Sequence, residues 1–311
     1  QVILFQNRRG HSPYLECSSC GFVYQCINCD VSLTYHQATN QLKCHHCGYS
    51  EQNNTKCKKC SNNTILKRGV GTQQVEEDIK IIFPDIIVKR MDHDSTRKKN
   101  SFQEIISAFE NNDFEILVGT QMLTKGLDFK NVSLVGVINA DSLIYFPDFR
   151  SQEKCFQLLQ QVAGRSGRSK EQGKVVIQTY NPKHDLINKI VKNDYLGMFN
   201  EQLNQRLTFN YPPYTRLIKI TLKNKDLNKL IKSSNWLSEA LRNKFKSQLL
   251  GPESPLLARI NNKHIKDILI KIPANDNLRK SKLFINKTLK SFESISFFRN
   301  IDILIDVDPY N

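Results

Sequence analysis

The amino-acid sequence predicts an α/β fold with one parallel sheet, interrupted early by a cysteine-rich insert and followed by a small α+β domain. Short apolar runs rich in β-branched residues, such as Ile116–Val118 and Val132–Ile138, alternate with segments of helical spacing, as is typical of parallel strands buried on both faces. Eight of the nine cysteines form four C-x-x-C pairs between Cys17 and Cys60. Beyond Arg216 the apolar residues instead alternate at a period of two, which indicates a half-exposed sheet.

The elements of the α/β part can be assigned in chain order. Val2–Phe5 is predicted to be a short buried strand, and a helix is predicted from Gly71 to Ile82, because Pro84 cannot continue it. The next predicted elements are a strand at Ile86–Val88, a helix at Ser101–Phe109, the two apolar strands named above, a helix at Cys155–Val162 and a strand at Val175–Ile177. Strands and helices that alternate in this way form right-handed βαβ units.

A stiff segment, Tyr211-Pro212-Pro213-Tyr214, separates the α/β part from the last domain. The period-two strands beyond it are Leu217–Leu222, Ile268–Ile272 and Ile301–Asp306, with helices predicted at Leu230–Leu241 and Lys280–Leu289. The predicted domains are therefore 1–16 with 61–208, the insert 17–60, and 209–311. Arg259, Lys263 and Lys266 in the last domain are either DNA contacts or ordinary solvated charges.

The charge of the chain is +15, which favours a polyanionic partner. Lysine is abundant throughout, so charge alone is a weak indication of nucleic acid. No apolar run reaches the ~18 residues of a membrane span, and no signal peptide precedes the cysteines. We therefore expect a cytosolic protein with reduced thiols, in which paired cysteines bind metal rather than form disulfides. The start at Gln1, inside a predicted strand, suggests part of a longer protein.

The four C-x-x-C pairs predict two zinc sites of four thiolates each, because both sulfurs of such a tight turn can point at one tetrahedral ion. The inner pairs, Cys26/Cys29 and Cys44/Cys47, are separated by fourteen residues, close to the spacing of a zinc ribbon. The outer pairs, Cys17/Cys20 and Cys57/Cys60, would then share the second ion. A sequential pairing of the first two pairs remains open. We expect His36, His45 and His46 at the surface. Tyr24, Tyr35 and Tyr49 either stack on bases or cover the metal turns.

Two further motifs indicate nucleotide and nucleic-acid chemistry. Arg165 and Arg168 follow a predicted helix that ends near Gln161, and their guanidinium groups suit the terminal phosphate of a nucleotide held elsewhere; a basic surface turn is the alternative. The second motif, from Gly119 to Phe129, begins at the end of a predicted parallel strand, where ligand-facing loops emerge. Its hydroxyl and amide groups suit a phosphate, and its carboxylate suits a ribose hydroxyl.

Together these motifs resemble the C-terminal part of the PriA family (primosomal protein N′), the replication-restart helicases of superfamily 2. The resemblance covers essentially the whole chain. It is carried by Asn7-Arg8-Arg9-Gly10, the four C-x-x-C pairs, Gly69-Val70-Gly71-Thr72-Gln73, Asp92-His93-Asp94, Gly119-Thr120-Gln121, Lys125-Gly126-Leu127-Asp128-Phe129, Ala140-Asp141, Pro147-Asp148-Phe149-Arg150, Gln161 to Arg168, Tyr211-Pro212-Pro213-Tyr214 and, more loosely, Gly251-Pro252.

The resemblance implies a RecA-like second helicase lobe with a two-zinc insert, followed by the α+β domain. It implies an ATP-dependent 3′–5′ DNA helicase that binds forked DNA and restarts stalled replication by primosome assembly. The implied zinc pairing is nested: the outer pairs on one ion and the inner pairs on the other. The implied residue roles are DNA contact for Arg8, Arg9, Thr120 and Lys125, nucleotide contact for Gly126 and Asp128, and a γ-phosphate role for Gln161, Arg165 and Arg168.

The cofactors implied are two structural Zn²⁺ ions, with ATP and Mg²⁺ in the full-length protein. The implied partners are forked and single-stranded DNA, single-stranded DNA-binding protein and the primosome or helicase-loading proteins; we expect a monomer in the bacterial cytoplasm, at the nucleoid. The chain carries neither G-x-x-x-x-G-K-[ST] nor an acidic magnesium motif. We therefore expect no ATP hydrolysis by this chain alone. A non-enzymatic zinc module that binds DNA or partner proteins is the alternative.

Overall fold

The computed structural model describes residues 1–6, 14–36, 39–54, 56–68, 71–92, 95–96, 100–124, 129, 131–165 and 173–310. The strands are β1 Val2–Gln6, β2 Tyr14–Cys17, β3 Thr34–His36, β4 Gln41–Lys43, β5 Ser50–Gln52, β6 Ile65–Arg68, β7 Val88–Met91, β8 Ile116–Gly119, β9 Leu134–Ile138, β10 Lys174–Ile177, β11 Thr215–Asn224, β12 Leu249–Glu253, β13 Arg259–Ile260, β14 Lys263–Pro273 and β15 Asp302–Val307. The α-helices are α1 Thr72–Ile82, α2 Ser101–Glu110, α3 Asp141–Ile144, α4 Ser151–Ala163, α5 Asp185–Val191, α6 Tyr195–Thr208, α7 Leu227–Phe245 and α8 Leu278–Ser294.

The chain divides into two compact units, Gln1–Pro13 with Gly69–Leu203 and Tyr14–Arg68 with Asn204–Asn311. The second unit therefore contains both the cysteine-rich insert and the C-terminal residues. The domain boundaries drawn from the sequence stay a prediction. No helix in the described part of the chain combines the length and the apolar character needed to cross a membrane.

The first unit contains the predicted parallel sheet, with strand order β10-β9-β1-β8-β7 and every neighbouring pair parallel. The strand β8, which lies between β1 and β7, is buried along its whole length. Ile3, Phe5 and Leu117 are completely buried in the core between the sheet and its helices. The expectation of an α/β fold with one parallel sheet is confirmed.

Two strands of this unit begin later than the sequence predicts, and one of them, expected at Val132–Ile138, begins at Leu134. The strand expected at Ile86–Val88 begins only at Val88, because the Ile86 N–H closes a turn onto the Phe83 carbonyl oxygen at 3.2 Å. The strand predicted at Val175–Ile177 is present as β10, and its Val176 is half exposed. Among the strands that the structure describes, β10 is the last in the order and has a neighbour on one side only.

The second unit contains an antiparallel sheet with strand order β12-β14-β11-β15, and β13 pairs with the end of β14. The helices α7 and α8 contribute Leu237 and Phe292 to its core, against Ile220 and Ile268 of the sheet. This confirms the expected α+β domain. The strand β12, which the sequence did not predict, contains an irregular register around Gly251, whose φ of 93° favours glycine.

The insert has only short strands. β2 pairs with β6, and β3, β4 and β5 form a three-stranded antiparallel sheet. Between them lies a small core that includes Leu15, Tyr24, Leu33 and Leu42, together with cysteines of the inner pairs. Because strands of three or four residues are marginal by themselves, most of the order in the insert has to come from its cysteines.

The close approach of β7 and β8 at Gly119 yields a stability prediction. A Cβ at Gly119 would lie 2.8 Å from the Met91 carbonyl oxygen, a backbone atom that cannot move without disturbing the sheet. We expect Gly119→Ala to lower the free energy of unfolding by about 1–3 kcal/mol, measured by urea denaturation with an unchanged m-value. Gly136→Ala is the matched control, because its close contact is with the flexible end of the Leu4 side chain. Equal losses in the two variants would contradict this explanation.

Candidate metal centres and ligand-facing sheet edge

All four C-x-x-C pairs share one backbone hydrogen bond that closes a turn. In each pair the N–H of the first cysteine donates to the carbonyl oxygen five residues later, as Cys17 to Phe22 at 2.9 Å, Cys26 to Val31 at 2.9 Å, Cys44 to Tyr49 at 2.8 Å and Cys57 to Asn62 at 2.9 Å. In three of the turns the fourth residue after the first cysteine has a positive φ and donates its N–H to that cysteine's carbonyl oxygen. These residues are Gly21, Gly48 and Ser61. The shared turn directs both sulfurs of a pair to the same side.

The turns bring the eight cysteines into two groups of four, whose sulfur atoms lie within 4.8 Å of one another. The outer cluster is Cys17, Cys20, Cys57 and Cys60, and the inner cluster is Cys26, Cys29, Cys44 and Cys47. The structure thus groups the pairs in the nested arrangement and not in the sequential one that the spacing had left open.

The sulfur spacing in both clusters suits a tetrahedral ion. The Sγ–Sγ distances are 3.5 Å for Cys17–Cys60 and 3.7 Å for Cys20–Cys57 in the outer cluster, and 3.4 Å for Cys26–Cys47 in the inner one. Zinc–sulfur bonds in a tetrahedron place sulfurs about 3.8 Å apart. Four thiolates are also a donor set that zinc prefers. The residues present therefore fit one zinc ion in each cluster.

Backbone amides and burial influence whether the cysteine side chains are thiols or thiolates. The sulfur of Cys26 accepts from the Asn28 N–H at 3.4 Å, and that of Cys57 accepts from the Lys59 N–H at 3.4 Å. Burial raises the pKa of the Cys26 thiol to about 12, because a buried thiolate lacks solvation. A bound cation removes that penalty and holds the thiols deprotonated. The hydroxyl of Thr64, 3.4 Å from the Cys17 sulfur, lowers the pKa of Cys17 to about 6.

The aromatic residues of the insert lie around the metal turns. Tyr24 is buried, and its hydroxyl donates to the Lys56 carbonyl oxygen at 3.4 Å, so it covers the turns and does not stack on a base. Tyr49 is partly buried and donates to a Glu51 carboxylate oxygen at 2.9 Å. The Nε2 atoms of His36 and His45 are 3.3 Å apart. His45 and His46 are exposed, and the two four-cysteine groups include no histidine.

The ninth cysteine, Cys155, lies in the core of the first unit on α4. Burial raises the pKa of its thiol to about 12. A thiol in such surroundings is inert, and its role is packing.

The carboxyl-terminal edge of the parallel sheet carries polar residues at the ends of three neighbouring or near-neighbouring strands. Thr120 follows β8 and is buried, and its N–H donates to the Met91 carbonyl oxygen at 3.4 Å. Asp92 follows β7, is fully buried and accepts from the Thr72 hydroxyl at 2.5 Å. Asp141 follows β9 and accepts from the Thr179 hydroxyl at 3.0 Å. Ligands of open α/β sheets bind outside this edge.

The helix α4 brings Gln161 and Arg165, from the arginine motif, to the same region. It packs against the 3₁₀ turn Gln121–Thr124, which directly follows Thr120. Gln161 in its last turn is exposed, and Arg165 lies just beyond its end, with its N–H donating to the Val162 carbonyl oxygen at 3.1 Å. The neighbouring Gln160 ties α4 to α5 by donating to the Ile190 carbonyl oxygen at 2.7 Å.

Several residues singled out from the sequence lie outside the described residues. They are Arg8, Arg9, Lys125, Gly126, Asp128 and Arg168. Their roles, and those of Thr120, Gln161 and Arg165, stay predictions.

Two of the three basic residues singled out in the C-terminal domain, Arg259 and Lys263, have partners within the second unit. The Nε of Arg259 donates to a carboxylate oxygen of Asp30 at 3.0 Å, and Lys263 forms an ion pair with Asp302. The contact between Arg259 and the insert was not predicted from the sequence. Asn261-Asn262 indicates the tight turn of a hairpin, but it does not indicate what the hairpin contacts.

Comparison with known proteins gives three family matches along the chain. Residues 26–52 match the PriA DNA helicase Cys-rich region (CRR) domain, residues 55–170 match the helicase conserved C-terminal domain, and residues 208–310 match the primosomal protein N C-terminal domain. Replication restart protein PriA of Bacillus subtilis is 38% identical over 100% of this chain and 38% of its own length. That of Synechocystis is 43% identical over 88% of this chain and 34% of its own length.

The chain thus spans less than half the length of the curated relatives it matches. Among solved structures, the Pyrococcus furiosus Hef helicase domain is similar at 14% identity and a TM-score of 0.26, over 62% of this chain and 24% of that one. A similarity that low adds nothing to the argument.

The start of α4 yields a prediction about stability and pH. Asp148 is nearly buried; its carboxylate accepts from the Arg150 N–H at 2.8 Å and from the Lys154 ammonium at 2.7 Å. We expect Asp148→Asn to lower the free energy of unfolding by about 1–3 kcal/mol, measured by urea denaturation. Asp185→Asn, which breaks an ion pair of a mostly exposed carboxylate, should cost less.

The difference in stability between wild type and Asp148→Asn should depend on pH, and the pKa of Asp148 gives the direction. Burial acts to raise the pKa of Asp148, but the Lys154 and Arg150 contacts outweigh it and leave the pKa below the usual 3.8. The stabilisation is therefore fully present above pH 3.8 and is lost as the pH falls through the pKa of the folded state. A gap between wild type and Asp148→Asn that persists below both pKa values would contradict this assignment.

Proposed function

Because the chain belongs to the PriA family of replication restart proteins and matches their C-terminal part, we propose that it is the C-terminal part of an ATP-dependent 3′–5′ DNA helicase. The full protein binds forked DNA and restarts stalled replication by primosome assembly. The observation that carries this proposal is the match of the whole chain to PriA proteins, through the cysteine-rich, helicase and C-terminal family models at once.

The edge of the parallel sheet supports the motor assignment. Thr120 directly follows the strand β8 at the edge where ligands of α/β sheets bind, and α4 packs on the turn after it. In the proposed motor, Thr120 and Lys125 contact the DNA backbone, together with Arg8 and Arg9. Gly126 and Asp128 face the nucleotide.

The proposed catalytic residues are Gln161, Arg165 and Arg168, which act on the γ-phosphate of ATP. A guanidinium suits this task because it is always charged and offers planar paired donors to phosphate oxygens. The phosphate cradle and the Mg²⁺ ligands belong to another part of the full protein, because this sequence carries neither motif. ATP and Mg²⁺ are thus cofactors of the full protein, and this chain alone does not hydrolyse ATP.

The proposed zinc ions are structural. The outer cluster and the inner cluster each supply four thiolates, which complete a tetrahedron and leave no open position for a substrate. The ions fix short strands that lack a large core of their own. Zinc binding to such a site contributes directly to folding.

The proposed partners follow from membership of the family. They are forked and single-stranded DNA, single-stranded DNA-binding protein and the primosome or helicase-loading proteins. The net charge of +15 suits the first of these. We place the protein in the bacterial cytoplasm at the nucleoid, as a monomer.

A second candidate function is a zinc module that binds DNA or partner proteins without nucleotide chemistry. One observation favours it: the insert and the C-terminal residues belong to one compact unit, and the parallel sheet belongs to the other. The two candidates differ in whether ATP hydrolysis depends on the arginines after α4.

The motor proposal predicts the effect of removing those arginines. In this chain rejoined to the rest of its protein, Arg165→Ala and Arg168→Ala should each lower DNA-stimulated ATP hydrolysis by on the order of 10³-fold or more, with fork binding retained. Arg216→Ala is the matched control, because Arg216 pairs with Asp308 in the C-terminal sheet, and hydrolysis should be unchanged. Fork binding without any ATP hydrolysis in the wild-type protein would instead support the second candidate.

The metal proposal predicts zinc content. The purified chain should hold two zinc ions, one for each cluster, measured by elemental analysis. Cys60→Ser should remove the outer ion and Cys47→Ser the inner one, because each takes one thiolate from a single cluster. Cys155→Ser is the control and should keep both ions, since Cys155 lies in the core of the other unit. Loss of zinc from the control, or retention of both ions in the two cluster variants, would contradict the assignment.

A further inference from the structure

The strands β13 and β14 form a hairpin with a two-residue tip. Arg259 pairs with His264 and Ile260 with Lys263, which leaves Asn261 and Asn262 as the loop. Their φ values are 52° and 59°. A two-residue loop with two positive φ values is a type I′ turn, for which asparagine is favoured. The amides of the two loop residues are not used in the ladder of such a hairpin and therefore need acceptors elsewhere.

Both loop amides find their acceptors in the first turn of the inner cluster. The Asn261 N–H donates to the Cys29 sulfur at 3.3 Å, and the Asn262 N–H donates to the Asn28 carbonyl oxygen at 2.8 Å. The Asn262 side-chain amide also donates to the Asn28 side-chain oxygen at 2.9 Å. The hairpin tip is thus hydrogen-bonded to a proposed metal ligand and to the residue before it.

The base of the hairpin holds the same turn. Arg259 donates from Nε to Asp30 and from Nη1 to the Ile27 carbonyl oxygen, both at 3.0 Å, and its own carbonyl oxygen accepts the Asp30 N–H at 3.0 Å. Ile260 packs against the apolar core of the insert, which includes cysteines of the inner cluster. Every residue from 27 to 30 therefore makes a hydrogen bond to residues 259–262.

In the Cys26 turn, a hydrogen bond to the hairpin replaces the local hydrogen bond that closes the other three turns. At the position four residues after the first cysteine, Gly21, Gly48 and Ser61 take a positive φ and close their turns locally. Asp30 stands at that position in the Cys26 turn, has no positive φ, and donates its N–H to Arg259.

The sulfur contacts differ in the same way. Cys26, Cys47 and Cys57 accept amides from residues two positions further along the chain, whereas Cys29 accepts one from Asn261. The structure of the Cys26 turn is thus completed by a segment more than 200 residues away in the chain.

We propose that the tip of the β13–β14 hairpin is a positioning element of the inner metal centre, and that the ion in this centre in turn holds the C-terminal domain on the insert. The amide of Asn261 supports the negative charge of the Cys29 thiolate when the metal is bound, as partners of metal ligands generally do. The effect is reciprocal, because whatever the hairpin adds to metal affinity the metal adds to hairpin docking. This inference rests on the proposed zinc ion in the inner cluster.

The outer cluster provides an internal control for the first experiment. Zinc release from the fully loaded chain is followed with an excess of chelator, and the two ions are assigned with Cys60→Ser and Cys47→Ser. We expect Arg259→Ala to speed release of the inner ion by about tenfold and to leave the outer ion unchanged. Asn261→Gly keeps both the amide and the positive φ, and Arg216→Ala removes an arginine elsewhere in the same sheet. Neither control should change release from either cluster.

A second measurement avoids substitutions altogether. The chain is loaded with cadmium-113, and correlations between the metal and amide protons are recorded by nuclear magnetic resonance. An amide proton that is hydrogen-bonded to a cadmium-bound sulfur gives a correlation with the metal through that hydrogen bond. The amides of Asn28 and Tyr49 therefore serve as internal references for the inner cluster. We expect a correlation of the Asn261 amide with the inner ion.

The outcomes separate the two proposals. Correlations from Asn28 and Tyr49 without one from Asn261, or an Arg259→Ala variant that releases both ions faster or neither, would overturn the hairpin proposal and leave the zinc site in place. A chain that binds no metal at the inner cluster would overturn both. A correlation from Asn261 together with selective release supports the proposal.

Discussion

The closure of eight thiols into two four-sulfur clusters is the constraint on which the second unit depends. The insert has strands of only three or four residues and a core of a few apolar side chains around its inner cysteines. Such strands have too little apolar area to order themselves. A repeated backbone turn at each C-x-x-C pair instead brings sulfurs into spacing that suits a tetrahedral ion. The hairpin of the C-terminal sheet contacts one of these turns, so the same constraint extends to a domain far along the chain.

Much of the fold could be predicted because the responsible signals are local. The apolar runs of β8 and β9 predict strands buried in a parallel sheet, and Pro84 marks the end of α1. The nested grouping of cysteines agrees with the fourteen-residue spacing of the inner pairs. The short strands of the insert carry no such signal, because the metal turns and not the strand propensities position them. The irregular strand β12 was missed for a similar reason, since Gly251-Pro252 is typical of a turn.

In the candidate sites, too, the features set by local sequence were predictable and those set by tertiary contacts were not. The end of a parallel strand is predictable, so Thr120 was expected at the ligand-facing edge from the sequence alone. The packing of α4 on the turn after Thr120 is a tertiary contact that no spacing indicates. Arg259 is the clearest case: in a chain with 45 basic residues it resembles any solvated charge, yet it binds Asp30 and a carbonyl oxygen of the inner metal turn. A contact between residues 229 positions apart leaves no local pattern.

The aspartate at position 30 has a consequence for transplantation. Three of the four cysteine turns are closed by hydrogen bonds within the turn itself. These three turns therefore do not depend on another part of the protein for their closure. The turn that contains Asp30 is instead completed by hydrogen bonds to the C-terminal domain: the Asp30 N–H donates to Arg259, and the Asn261 N–H donates to Cys29. Residues 14–68 grafted into a foreign host would arrive with that one turn unfinished. A graft in which this turn closes locally therefore needs either the hairpin as well or, at position 30, a residue that takes a positive φ as Gly21, Gly48 and Ser61 do.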